Sequence, residues 1–141
     1  EKGYRAWGSD IGPDHTPIEA GMAWAVKDRS GVAFLGRDAI AAQRDGGVRR
    51  RLAGFTTDPS VVLLGRETIY RDGERVGWLS SAGFGYTLDR SIGYGYVRHP
   101  DGVSADFVRS GTYELEVATE RVLCEVSLQP FYDPKGERVR S

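Results

Sequence analysis

From Arg49 to the C-terminus hydrophobic positions recur with a period of two, the signature of strands that bury one face. Arg51-Leu52-Ala53-Gly54-Phe55-Thr56 reads as a strand that Asp58-Pro59 ends. Thr68-Ile69-Tyr70-Arg71 and Arg75-Val76-Gly77-Trp78-Leu79 flank Asp72-Gly73, a dipeptide favoured in two-residue hairpin turns because both residues tolerate positive φ. Over Ser91 to Arg98, Ile92, Tyr94 and Tyr96 share one face, and Gly93, Gly95 and Val97 the other. Tyr113, Leu115 and Val117 alternate with Glu114 and Glu116; past Ala118 to Arg121 the pattern resumes at Val122, Cys124, Val126 and Leu128. About six strands joined by short turns, with no second helix, predict a small antiparallel β-barrel or sandwich. Arg138-Val139-Arg140 is expected to be a polar tail.

The first third follows other rules. Thr16-Pro17-Ile18-Glu19 has the form of a helix start, with Thr16 as N-cap, Pro17 at the first helical position and Glu19 closing a capping box. Gly21 limits that helix to about a turn and a half, and Met22 to Val26 is compatible with a short buried strand. Gly36 to Arg44 is dense in helix formers and stops at Gly46-Gly47. Leu35, Ala39, Ile40 and Gln43 share a face there, which predicts a docking helix with one apolar stripe. The expected fold class is therefore mainly β: a C-terminal antiparallel barrel preceded by a short α+β segment, with domains at residues 1–47 and 48–141.

Composition narrows the function classes. The 19 cationic and 20 anionic side chains give a net charge of −1, which argues against general capture of nucleic acid or anionic lipid. No apolar stretch approaches the ~20 residues of a membrane span, and no secretory signal pattern opens the chain. One cysteine, Cys124, makes neither an internal disulfide nor a thiolate cage. A soluble protein of a reducing compartment is expected. The start at Glu1-Lys2-Gly3, with Met22 the only methionine, suggests a piece of something longer.

Candidate chemistry is sparse. His15 and His99 lie far apart in sequence and outside any metal-ligand spacing, so no metal is expected. Cys124 alternates with apolar residues and reads as a core residue. Gly83-Phe84-Gly85-Tyr86-Thr87-Leu88 begins like a phosphate loop but lacks the third glycine and follows a hairpin. No nucleophile elbow or Walker pattern occurs, so no catalytic residue is assigned. Arg49-Arg50-Arg51 reads as a phosphate or nucleic-acid contact or as a solvated lead-in to a strand; the lack of a wider basic surplus favours the second. Trp7, Trp24, Trp78, Tyr86, Tyr94, Tyr96, Phe131 and Tyr132 supply barrel core and rim, or a stacking face for a flat ligand.

Several segments, in order, resemble the aminomethyltransferase (glycine-cleavage T-protein) family. They are Gly3-Tyr4-Arg5-Ala6-Trp7-Gly8-Ser9-Asp10, Thr16-Pro17-Ile18-Glu19-Ala20-Gly21, Phe34-Leu35-Gly36-Arg37-Asp38-Ala39, Val76 to Ala82, Ser91 to Val97 and Gln129-Pro130-Phe131-Tyr132. Gly85-Tyr86-Thr87, Glu1 to Gly8 and Phe131 to Pro134 look more like the folate-binding half of dimethylglycine and sarcosine dehydrogenases.

That resemblance implies one-carbon transfer to tetrahydrofolate. An upstream FAD domain, absent from this chain, would oxidise a methylated amine, and the folate half would trap the one-carbon unit; the fragment alone would be inactive. Residues 1–47 would be the end of the folate-binding domain and residues 48–141 the family's C-terminal barrel. The folate-binding positions it implies are Trp7, Glu19, Trp24, Tyr132 and Arg138, with an N3 capping role open for Glu19 and core burial open for Trp24. The implied location is the cytoplasm, or the mitochondrial matrix in a eukaryote. The alternative is a non-catalytic structural or protein-interaction barrel.

Overall fold

The computed structural model describes residues 1–27 and 30–140. The alternating stretches form six strands: β1 (Arg50–Thr57), β2 (Thr68–Arg71), β3 (Glu74–Gly85), β4 (Arg90–Arg98), β5 (Tyr113–Val117) and β6 (Glu120–Ser127). All pair antiparallel and close into a barrel in the order β1-β4-β3-β2-β5-β6. Closure removes the open edges that an unfinished sheet would present. The β2–β3 turn is the Asp72-Gly73 hairpin, with φ of 51° and 85°. Between β5 and β6, Ala118 and Thr119 do the same at φ of 48° and 73° without a glycine.

A six-stranded barrel has a narrow interior, and glycine makes room in it. Phe55, Ile69, Leu79, Val97 and Leu115 fill the inside and are fully buried. Gly93 and Gly95 occupy the inward positions of β4. A Cβ on Gly93 would meet Leu79 Cδ1 at 2.6 Å; one on Gly95 would meet Ile69 Cδ1 at 2.8 Å and the Trp78 carbonyl oxygen at 2.4 Å. The opposite parity of β4, Ile92, Tyr94 and Tyr96, points outward. Ile92 and Tyr96 are nonetheless buried, and the strap of residues 1–27 lies over Tyr96 through Asp10 and His15.

The short helices depart from expectation. A second helix does exist: α2, numbered after α1 (Arg37–Gly46), spans Ala105–Ser110. Ser104 caps it by accepting the Phe107 N–H at 2.9 Å, and its fully buried Val108 joins the barrel core. Six residues are too few to display a helical period, which is why the pattern hid it. The expected polar tail winds into one more turn, α3 (Glu137–Arg140), whose Glu137 N–H is accepted by Asp133 Oδ1 at 2.8 Å.

Two further expectations need correction. Met22 to Val26 is not a strand: Ala23–Ala25 forms a 3₁₀ turn, since a closed barrel offers no edge for a seventh strand. Thr16 to Gly21 stays a single hydrogen-bonded turn, although its capping box forms as the sequence implies. Helix α1 is where the composition puts it, but none of its residues is buried and Leu35 stands fully exposed. Its ties to the strap are polar: Thr16 Oγ1 lies 2.6 Å from Gln43 Oε1, and Arg44 donates to the Ala23 carbonyl at 3.0 Å. Among the described residues no helix is long and apolar enough to cross a membrane.

The glycine account predicts an asymmetry between neighbouring strands. Gly95→Ala should destabilise the chain by about 2–3 kcal/mol in urea unfolding, because backbone as well as side chains must move. Gly83→Ala, where a Cβ meets nothing within 4 Å, should change stability by less than about 0.5 kcal/mol. Equal effects would contradict a spatially limited barrel wall.

Candidate functional site

The strap is fixed by a buried carboxylate. Asp10, only 3% exposed, accepts the hydroxyls of Ser80 at 2.8 Å and Ser81 at 2.7 Å on Oδ1. Its Oδ2 accepts the Ala6 N–H at 3.0 Å, and its carbonyl accepts the Tyr96 hydroxyl at 2.8 Å. Successive residues of a regular strand face opposite ways, so Ser80 and Ser81 reach one oxygen only because a bulge shifts the β3–β4 register between Leu79 and Ser81. Burial of a carboxylate is costly unless its oxygens find donors, and here three donors converge on it. Burial pushes the Tyr96 phenol up to about 12, so that hydroxyl remains a donor across ordinary pH.

A second lock joins the strap to the closing tail. Lys2 Nζ lies 2.7 Å from Asp133 Oδ2, and the Tyr132 N–H donates to the Glu1 carbonyl at 3.1 Å. Glu1 Oε1 accepts the N–H groups of Thr87 at 2.7 Å and Leu88 at 3.1 Å. The Lys2 hydrogen bond holds the Asp133 carboxyl below its ordinary value. For Glu1, desolvation acts upward, but the two backbone N–H groups outweigh it and the carboxyl is also lowered.

Between strap and barrel lies a groove of about 510 Å³, lined by residues 1–4 of the strap, 81–84 of β3 and 92–94 of β4. The Tyr94 hydroxyl, under Gly3, is buried without a hydrogen-bond partner, and burial raises its pKa. Gly3 (φ 73°) passes so close that a Cβ there would lie 3.2 Å from that hydroxyl. Tyr4 is exposed beside the groove and Phe84 partly so.

The five expected site residues fall into separate places. Tyr132 and Arg138 come together: the Arg138 guanidinium lies 5.7 Å from the Tyr132 ring centroid, next to the Glu1–Lys2 lock. Glu19 is buried at the strap's far end. It closes the capping box with Thr16 at 2.9 Å, pairs with Arg50 at 3.1 Å, and its carbonyl accepts the Leu52 N–H at 2.8 Å. Trp7 and Trp24 are 74% and 83% exposed, so the core burial left open for Trp24 does not occur. Sequence reasoning passed over Asp10, Ser80, Ser81, Lys2 and Asp133, whose partners lie 70 or more residues away.

Other reactive groups stand apart from these. His15 stacks on Tyr96 at 4.5 Å, where burial and then the Arg50 charge lower its pKa. His99 packs against Phe107 at 5.0 Å. Burial raises the Cys124 thiol to about 12, which leaves it without thiolate character. Among the described residues, no three His, Cys, Asp or Glu side chains gather to hold a metal. What the arrangement does chemically is to hold a rigid, aromatic-bearing strap against a barrel.

Removing the Asp10 carboxylate should expose this architecture. Asp10→Ala leaves the Ser81 hydroxyl and the Ala6 N–H without their acceptor, with Ser80 retaining the Tyr94 carbonyl, and should cost about 2–4 kcal/mol in urea unfolding and hasten proteolysis within residues 1–27. Carboxylates with lowered folded-state pKa values stabilise the fold above their unfolded values and lose that share as pH falls through the folded ones. The strap lock should therefore be complete at pH 7 and weaken below the ordinary values of 4.5 for Glu1 and 3.8 for Asp133. Unfolding midpoints of the unaltered chain and of Asp133→Asn, followed from pH 7 to pH 3, should converge on acidification; a constant gap would contradict the lock.

This geometry recurs in known proteins. The family model described as the glycine cleavage T-protein C-terminal barrel domain matches residues 50–133, from the first residue of β1 to Asp133. The mitochondrial sarcosine dehydrogenase of Homo sapiens is 45% identical over 142 residues, taking in 99% of this chain and 16% of that protein. The mitochondrial pyruvate dehydrogenase phosphatase regulatory subunit of Mus musculus is 35% identical, over 92% of this chain and 16% of that protein. The crystal structure of the glycine cleavage system aminomethyltransferase T from Bartonella henselae superposes with a TM-score of 0.78 at 27% identity, covering 94% of this chain and 36% of that one. The chain thus spans about one-sixth of the length of those two curated relatives. By its barrel, its strap and this match, the chain belongs to the glycine cleavage T-protein family and carries that family's C-terminal barrel domain.

Proposed function

We propose that the chain acts as the C-terminal part of a tetrahydrofolate-dependent one-carbon transferase, within a longer protein of the sarcosine or dimethylglycine dehydrogenase kind. One observation carries this reading: the strap is bound at Glu1–Lys2, at Asp10 and at Glu19, yet it presents Trp7 and Trp24 largely to solvent. Large aromatics on a rigid support are suited to stack on a flat ring or to seat a neighbouring domain. The division between residues 1–47 and 48–141 belongs to the same reading, with the first part completing a folate slot that the preceding domain opens. The FAD belongs to that preceding part. The location is the cytoplasm, or the mitochondrial matrix in a eukaryote, in keeping with relatives whose names carry the word mitochondrial.

The residues present suit a pterin. Trp7 and Trp24 supply stacking faces, and the Tyr94 hydroxyl, buried without a partner, is a donor in reserve. Tyr132 and Arg138, one above the other beside the Lys2–Asp133 lock, would meet the ligand's anionic end. Glu19 has both carboxylate oxygens engaged, so its part is to fix the turn that carries Trp24 rather than to touch the ligand. When bound, tetrahydrofolate supplies the amine nitrogens that accept the one-carbon unit. The strap's contribution is to orient the ring and keep water from the reactive carbon.

A second reading has its own support. A relative named as a regulatory subunit covers 92% of this chain, so the same barrel and strap also occur in a protein not named for catalysis. Calorimetric titration of tetrahydrofolate separates the two. The dehydrogenase reading expects binding by a version extended through the preceding domain and little or none by the 141-residue chain. In the extended protein, Trp7→Ala and Trp24→Ala should each weaken Kd about 10-fold, which is ~1.4 kcal/mol. Silence from the extended protein would overturn the folate reading in favour of the regulatory one.

A further inference from the structure

The arginine run at the head of β1 has a use that the strap does not give it. The β1–β4 register sets Arg50 opposite Arg98, and the His99 N–H donates to the Arg49 carbonyl at 3.1 Å. On the other side of β4, β3 begins at Glu74-Arg75. Three adjacent strands thus bring Arg49, Arg75, Arg98 and His99 to one end of the barrel, where with Trp78 and Pro100 they line a groove of about 460 Å³. That volume lies within the range of small-molecule sites.

Three arginines crowd this groove with no carboxylate among its lining residues. Elsewhere, Arg71, Arg90, Arg109 and Arg121 each pair with a carboxylate. Among the described residues, no carboxylate forms an ion pair with Arg49, Arg75 or Arg98, and Glu19, whose charge reaches Arg98, is already taken by Arg50. The Arg98 guanidinium lies 3.9 Å above the Trp78 ring, which fixes its plane and leaves its N–H edge as a preformed fork. Burial, and then the neighbouring Arg50 charge, lower the Arg98 pKa.

We propose that this groove binds a small molecule carrying at least two oxyanion groups, carboxylate or phosphate, beside an apolar part. Arg98 takes one group bidentately, Arg49 and Arg75 take the others from the two flanking strands, and Trp78 with Pro100 covers the apolar part. The site is independent of the one-carbon reading, which rests on the strap. It also gives the Arg49-Arg50-Arg51 run a division of labour: Arg50 and Arg51 serve the fold, through Glu19 and the Val103 carbonyl, and Arg49 serves the ligand.

The test is calorimetric titration of two probes, tripolyphosphate and tricarballylate, into the 141-residue chain at low ionic strength. The site predicts a Kd below about 1 mM for at least one of them. Binding of tripolyphosphate alone marks a phosphorylated ligand, binding of tricarballylate alone a polycarboxylate, and binding of both the shared oxyanion chemistry. Arg49→Gln with Arg75→Gln, both exposed positions, should weaken binding at least 10-fold with an unchanged unfolding midpoint, whereas Arg66→Gln, outside the groove, should not. Absence of heat from both probes would overturn the proposal. So would equal weakening by Arg66→Gln, which would reduce the effect to net charge, or unchanged binding in the double variant.

Discussion

The buried carboxylate of Asp10 is the central tie between the two parts of this chain. Asp10 sits where the strap crosses β3 and β4, and its contacts to Ser80, Ser81 and Tyr96 lie between residues 70 to 86 positions apart. There the strap covers Tyr96 on the outward face of β4, with the Asp10 carbonyl on its hydroxyl and His15 on its ring. The arrangement depends on a defect in the sheet. Only the bulge after Leu79 turns two consecutive serines toward one oxygen, so the irregularity in β3 is the socket into which the strap fits.

The consequences run outward from that point. Because the strap is held at Glu1–Lys2, at Asp10 and at Glu19, it has little freedom to fold its own aromatics inward. Trp7, between the Glu1–Lys2 and Asp10 ties, and Trp24, just past Glu19, are left displayed to solvent. Rigid display favours binding because less conformational entropy is lost when a partner arrives. The same economy marks the barrel's other end, where stacking on Trp78 immobilises the Arg98 guanidinium before any anion is present.

The barrel was legible because its strands obey a local rule. Period-two alternation placed Thr68 to Arg71 and Tyr113 to Val117 at the observed boundaries, and Asp72-Gly73 marked its turn by backbone preference alone. Helix α2 was hidden because six residues do not repeat, and the α1 stripe misled because an apolar face says nothing about whether a neighbour covers it. The site was harder to read. Capping chemistry found the Thr16–Glu19 box, but nothing in residues 1–27 announced a strap laid over the barrel. Asp10, however, looks like any turn aspartate until the fold brings two serines to it, and the Lys2–Asp133 pair spans nearly the whole sequence. Residues defined by distant partners leave no periodic trace.

The central claim, that strap and barrel form one rigid unit, is tested most directly by native-state hydrogen exchange of the strap amides. The Ala6 and Asp10 N–H groups are hydrogen-bonded to the Asp10 carboxylate and the Ala6 carbonyl. They should exchange as slowly as the barrel amide of Leu79, opening only with the whole fold. Exchange of Ala6 and Asp10 at free-chain rates, while Leu79 stays protected, would show a strap that comes and goes, and would contradict the account.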